Sequence, residues 1–219
     1  MSDTDSFIEE VTEEVRRDRL FLMLKRYGWI GVVAILVIVG GASYREYTKS
    51  QEQAQAQALG DALIGALATN DAAGRADALG NVATEQAVSA AIAGLLAAGA
   101  LAEAGDTEKA VAKLKEVALL GEVPQIYRNI ATFKALLLQS DTLSVAERRL
   151  QFESLATPGA PLRLLSEEQL ALLDISEGQS EAAIDRLQAI IVDSEASSDL
   201  KQRASQVIVA LGGTPAAAS

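Results

Sequence analysis

The chain has 219 residues, with 19 Lys plus Arg against 30 Asp plus Glu, a formal net charge of −11 and a pI near 4.5. That balance argues against a nucleic-acid binder, which needs a basic face to neutralise phosphates. Histidine and cysteine are both absent, which removes the usual neutral-pH proton shuttle, thiolate nucleophiles, Cys/His zinc and haem ligation, disulfides and a cysteine-linked lipid anchor.

Abundant Ala and Leu with 4% aromatics lean towards helix. Residues 1–26 read as a cytoplasmic amphipathic helix. Ser6 and Glu9 have capping-box spacing, and the acidic residues Glu9 to Glu14 precede Arg16, Arg17 and Arg19, as the helix dipole favours. Phe7, Ile8, Val11 and Val15 form a narrow apolar stripe at helical spacing. Two readings stand: a solvated helix that only fixes topology, and a docking helix for a membrane partner's cytoplasmic surface.

Residues 27–44 carry no charge, and 18 residues of helix rise about 27 Å, close to the hydrocarbon thickness of a bilayer. Tyr27, Trp29 and Tyr44 mark the two ends, flanked by Lys25 and Arg26 before and Arg45 after. Five basic residues precede the span (Arg16, Arg17, Arg19, Lys25, Arg26) and only Arg45 and Lys49 follow closely. That asymmetry predicts a cytoplasmic N-terminus. Gly40-Gly41-Ala42 offers a cleavage site for the rival signal-peptide reading. The preceding segment, with seven acidic residues, is unlike a signal peptide, so an uncleaved anchor is expected.

Residues 45–84 are predicted to form a helical stalk and first hairpin. The polar stretch before Leu59 lacks breakers, and Leu59, Ala62, Leu63, Ala66 and Leu67 then recur at helical period. Residues 85–212 read as an array of helical hairpins, with residues 213–219 a flexible tail. Apolar stripes are expected at Ile92, Leu95, Leu96 and Leu101; at Ala110 to Ala118; at Ile126, Ile130, Phe133 and Leu137; at Ala146 and Leu150; and in two terminal helices. Turn chemistry falls between them, at Asn70-Asp71, Gly105-Asp106, Gly121 to Pro124, Ser140-Asp141 and Thr157 to Pro161.

There is internal similarity. Residues 101–118 align with 174–191, an offset of 73, about twice the 34-residue tetratricopeptide period. Gly105 and Gly178 are expected to end the first helix of each hairpin and Thr107 and Ser180 to cap the second. Ala110 and Ala183 sit where helices approach, and Leu114 and Leu187 make the bulky contact. The fold class is therefore all-α: one N-terminal transmembrane helix followed by a tetratricopeptide-like array of antiparallel hairpins.

Three stretches carry a family resemblance: DSFIEEVTEEVRRDRLF before the span, the GDTEKAVAKLKEVA hairpin and the terminal DLKQRASQVIVALGG. With these, the chain resembles the bacterial inner-membrane tetratricopeptide-like proteins that are ancillary subunits of the SecYEG translocon, in particular their alphaproteobacterial branch. The resemblance implies an inner-membrane anchor with a periplasmic repeat domain. It also implies contact with SecYEG, with periplasmic chaperones and with emerging polypeptides in secretion.

Catalytic signatures are missing: there is no GxSxG, no Walker-type loop and no GxGxxG after a strand. Carboxylate pairs such as Glu167-Glu168 are adjacent in sequence and read as solvated faces. Arg128, Lys134, Arg148 and Arg149 form a modest basic cluster that reads as ordinary charge balance. No enzyme activity, cofactor, metal, nucleic acid or small-molecule substrate is expected. Residues 45–219 hold 14 Lys plus Arg against 23 Asp plus Glu, so a peptide groove there would be acidic and favour basic segments. The expected role is a non-catalytic scaffold or holdase-like adaptor beside the translocon. The alternative is an envelope-assembly adaptor for outer-membrane protein insertion or cell division.

Overall fold

A computed structural model of the chain describes the backbone of residues 3–84 and 86–216, with side chains from Lys25 onward except those of residues 27, 28, 32 and 85. Among the described residues there are helices and no strands, so the chain is all-α. The helices are α1 (Asp3–Leu67), α2 (Ala72–Gly80), α3 (Ala87–Glu103), α4 (Thr107–Ala118), α5 (Gln125–Leu138), α6 (Val145–Leu155), α7 (Arg163–Ser176), α8 (Ser180–Val192) and α9 (Ser198–Ala210). The chain divides into two compact units, residues 1–58 and 59–219.

The first unit is helix throughout its described backbone. Because α1 already includes Asp3, Ser6 lies inside the helix and cannot be its N-cap. The side chains of Ser6, Glu9, Phe7, Ile8, Val11 and Val15 lie outside the described residues. From Trp29 the helix is long and apolar enough to cross a membrane, and no part of its apolar window is buried. Ile35, Leu36, Val37 and Ile38 are 62–69% exposed. Among the described residues nothing covers this continuous apolar surface.

The second unit is a tandem duplication, and the offset of 73 residues runs through nearly all of it. The helices α2, α4 and α5 begin at Ala72, Thr107 and Gln125, while α6, α8 and α9 begin at Val145, Ser180 and Ser198. Caps follow the same spacing. Asp71 and Ser144, equivalent residues, each accept a bond from a backbone N–H three residues on, and Ser144 completes a capping box with Glu147. The helices α3 and α7 end at Gly105 and Gly178 with φ of +83° and +76°, values open to glycine without strain. Asp106 N then donates to Leu101 O, and Gln179 N to Asp174 O, at 2.9 and 2.8 Å. One capping expectation changes here. Asp106 caps α4 by accepting from Lys109 N, α8 starts after Gln179 without a side-chain cap, and Thr107 and Ser180 are the first helical residues.

The buried positions of the two cores correspond at the same offset. Ala98, Ala110, Leu114, Val117, Ala131 and Ala135 form one core between α3, α4 and α5. Their equivalents Ala171, Ala183, Leu187, Ile190, Ala204 and Ile208 form another between α7, α8 and α9. On its other face α3 places Ala97 and Ala100 against Ala66, Ala76 and Leu79, as α7 places Leu170 and Leu173 against Leu136, Phe152 and Leu155. In α3 the buried positions are thus alanines, whereas Ile92, Leu95, Leu96 and Leu101 are only half buried. Small side chains fit because α3 has neighbours on two faces. At Gly94 a Cβ would come within 2.6 Å of Val117 Cγ2, so α4 lies close against it.

Two other stripes are rotated from expectation. Helix α5 buries Ala131, Ala135 and Leu136, leaving Ile126, Ile130 and Phe133 half buried and Leu137 exposed. Helix α6 buries Phe152 and Leu155. Ala146 and Leu150 face solvent, Leu150 at 69%. The pairing of Phe133 edge-on with Phe152, centroids 5.7 Å apart, sets the α5–α6 contact and so the face that α6 turns inward.

Candidate functional site

In an array of hairpins the functional element is surface, and its shape depends on what holds neighbouring helices in register. The C-terminal copy is cross-linked by a network of arginines and carboxylates. Asp174, buried in α7 at 2% exposure, accepts from Arg149 Nη2 of α6 at 2.7 Å through Oδ1 and from Arg186 Nε of α8 at 2.9 Å through Oδ2. One carboxylate therefore joins three helices. Arg149 also reaches Glu177 at 2.6 Å, and Arg186 reaches Glu167 at 2.7 Å. Arg203 of α9 forks onto both oxygens of Glu168 at 2.8 and 2.9 Å, geometry that only a guanidinium supplies. Arg163 ties the start of α7 to Asp193 and Glu195 between α8 and α9, both at 2.8 Å.

These partners shift the groups' protonation. Asp174, then Glu177, holds the Arg149 guanidinium above its ordinary value against the effect of burial. For Arg186 burial acts downward, but Glu167 and Asp174 outweigh it and the net direction is up. Arg163 and the Glu195 backbone N–H hold Asp193 below its ordinary 3.8. Each interaction favours the charged form, as hydrogen bonds to a charge do. Glu167 and Glu168 are thus ion-paired across helices and are not the solvated faces expected of them.

The basic cluster also resolves into separate roles. Arg149 belongs to the Asp174 network, and Arg128 Nη1 donates to Gly121 O at 3.1 Å and Leu120 O at 3.4 Å, closing the end of α4. Lys134 is exposed. Arg148 Nε is buried with no hydrogen-bond partner. Its equivalent Arg75 pairs with Glu103 at 2.7 Å, but the residue 73 beyond Glu103 is Ser176.

Of the anchor-flank residues, Lys25, Arg26, Trp29, Tyr44 and Arg45 are exposed on α1, and the Tyr27 side chain lies outside the described residues. The repeat residues fall in the paired cores: Ala110 and Ala183 are fully buried, with Leu114 and Leu187 beside them. Among the described residues no group of three or more acidic side chains is arranged to hold a metal ion.

Among the described residues, hollows open on the N-terminal copy. One of about 240 Å³ lies between the α2–α3 connection, α3 and α4. Another, about 600 Å³, lies between α4 and the end of α5.

The family of tetratricopeptide repeat-like domains matches residues 24–151, more than half of the chain. The chain belongs to that family. No curated protein and no solved structure matches it. The tetratricopeptide repeat-like match ends within α6, and the duplication continues the same architecture through α9. Domains of this kind are typically protein-interaction modules without catalysis, so the hairpin array is a protein-binding scaffold. The sequence missed the Asp174 network because its members are 12 to 35 residues apart. The available signal was the offset itself, which places Asp174 opposite Leu101 and Arg149 opposite Ala76.

Proposed function

We propose that the chain is a single-pass, non-catalytic scaffold of a bacterial inner membrane, its N-terminus cytoplasmic and its repeat domain periplasmic. It stands beside the SecYEG translocon and presents its hairpin array to emerging polypeptides and periplasmic chaperones. The observation that carries this reading is the uncovered apolar stretch of α1, joined in one chain to a tetratricopeptide repeat-like array. Lipid is the cover that such a helix needs. The excess of basic residues before the span supports the orientation, with Lys25, Arg26, Tyr27 and Trp29 at one interface and Tyr44 and Arg45 at the other. The resemblance of DSFIEEVTEEVRRDRLF supports the translocon, with Phe7, Ile8, Val11 and Val15 as the cytoplasmic docking stripe.

The organisation proposed is a cytoplasmic segment at 1–26, a span at 27–44, a stalk and first hairpin at 45–84 and the repeat domain at 85–212. A non-enzymatic role is supported by Glu167, Glu168 and Asp174, the adjacent or buried carboxylates of the second copy, each of which is engaged with an arginine.

Cross-linking in cells followed by mild-detergent pull-down tests this reading. The full chain is compared with a form in which residues 1–44 are replaced by a cleavable signal. SecY-type subunits captured by the full chain and lost with the replacement support it. Outer-membrane assembly or division proteins captured by both forms favour the envelope-assembly adaptor and overturn the translocon role.

A further inference from the structure

The end of the chain shows how this repeat holds an extended segment. Helix α9 is closed by Gly212 at φ +82°, and Gly213 N donates to Ile208 O at 2.9 Å. Residues 213–216, where the sequence predicts a free tail, then lie against α8. Gly213 is close enough that a Cβ would meet Ile184 Cδ1 at 3.2 Å. The Gln188 amide donates to Thr214 O and accepts from Ala216 N, both at 2.7 Å. One side chain thereby reads a carbonyl and an N–H two residues apart, which recognises backbone and is indifferent to side-chain identity. Ala216 completes the contact by packing on the second core.

The equivalent face of the first copy is open. Ile184 and Gln188 of α8 correspond to Val111 and Lys115 of α4, and Leu211, Gly212 and Pro215 correspond to Leu138, Gln139 and Thr142. All five of these first-copy residues line the 600 Å³ hollow. The chain leaving α5 does not fold back over α4. Thr142 N and Leu143 N donate to Gln139 O, and Ser144 caps α6. Val111 is itself buried, so what lies uncovered on α4 is the rim of the hollow, formed by the exposed Ala112, Lys115 and Thr142.

We propose that the hollow on α4 is a peptide site, which takes a short extended segment of small residues from a partner polypeptide. The segment lies over Ala112 and Lys115 as residues 213–216 lie over Ile184 and Gln188. Lys115 and Gln139 donate to its carbonyl oxygens. This rests on the scaffold reading above and gives that scaffold a site and a ligand class.

The test uses the full chain in lipid nanodiscs and a fluorescein-labelled peptide, LGGTPAAAS, the sequence of residues 211–219. Fluorescence anisotropy is expected to show saturable binding below about 1 mM. Ala112→Trp, which fills the exposed mouth of the hollow, and Thr142→Trp on the opposite wall should each weaken it by about tenfold or more. Asp185→Trp, at the α8 equivalent of Ala112, should leave it unchanged, and thermal unfolding identifies any variant that has lost its fold. Absence of saturable binding, or equal loss with Asp185→Trp, overturns the proposal. So does self-association of the chain that disappears when residues 213–219 are deleted, because the occupant is then a second copy. If cross-linked polypeptides captured in cells are the same with wild type and Ala112→Trp, the scaffold stands and this site falls. If wild type captures none, the scaffold reading falls as well.

Discussion

In the first copy Ala76 and Leu101 share an apolar core; in the second the same two positions are Arg149 and Asp174, joined at 2.7 Å. The pattern recurs nearby. Leu95 and Ile130 become Glu168 and Arg203, and Gly94 and Lys113 become Glu167 and Arg186, each an ion pair in the second copy. Helix lengths, caps and the central cores hardly change. A hairpin frame is therefore compatible with two kinds of contact between helices: close apolar packing that tolerates adjustment, and charge pairs that demand one geometry. The second kind adds little net stability when desolvation is counted, but it penalises any shift in register.

The largest expected effect comes from breaking that difference at its centre. Asp174→Ala removes two charge-assisted hydrogen bonds at once, leaving Arg149 with Glu177 and Arg186 with Glu167, and should cost about 3–5 kcal/mol in denaturant unfolding of the full chain in micelles. Leu101→Ala, at a half-buried position, should cost about 2 kcal/mol at most. Installing the first copy's residues together, Arg149→Ala with Asp174→Leu, should return stability to within about 1 kcal/mol of wild type. A double variant as unstable as Asp174→Ala would show that the two cores are not interchangeable.

Leu114→Ala and Leu187→Ala probe what the copies share. Each leaves a cavity in a closed core and should cost about 2–5 kcal/mol. A difference between them of more than about 1 kcal/mol would mean that one core relaxes where the other cannot. Smaller again are Gly105→Ala and Gly178→Ala, which place a Cβ at positive φ and should each lower stability by about 1 kcal/mol.

The smallest effect is acid sensitivity. Asp193 is held below its ordinary 3.8 by Arg163, so its stabilising contribution is complete above that value and disappears as pH falls through the lower folded one. Leu120 stands at the equivalent place in the first copy. Hydrogen exchange between pH 5 and pH 2, a window of about 3 units around the carboxylate range, should show α7 losing protection at its start before α3 does. The reverse order would sever Asp193 from the stability of the second copy.

Much of the frame was legible in the sequence. Eighteen residues at an offset of 73 identified one hairpin pair, and turn residues placed the breaks. The wider duplication was hidden because its first copy is built on alanine: Ala91, Ala97, Ala98 and Ala100 carry weak apolar signal although all are buried. Leu150 misled for the opposite reason, as a large apolar residue on an outward face. The candidate surfaces were less legible. The arginine–carboxylate bonds link residues far apart in sequence, and the turn of residues 213–216 onto α8 has no periodic signature at all.

Helix α5 contributes Ala131 and Ala135 to the first core and Leu136 to the next, so it closes one copy and opens the other. At the far end α9 repeats its closing face through Ala204 and Ile208, while Phe133 is replaced there by exposed Gln206. The array therefore has a natural unit of growth. A further 73-residue segment spliced in at α5 would meet the same partners on both sides. Chain length in this architecture can therefore change by a whole copy without altering either end of the array.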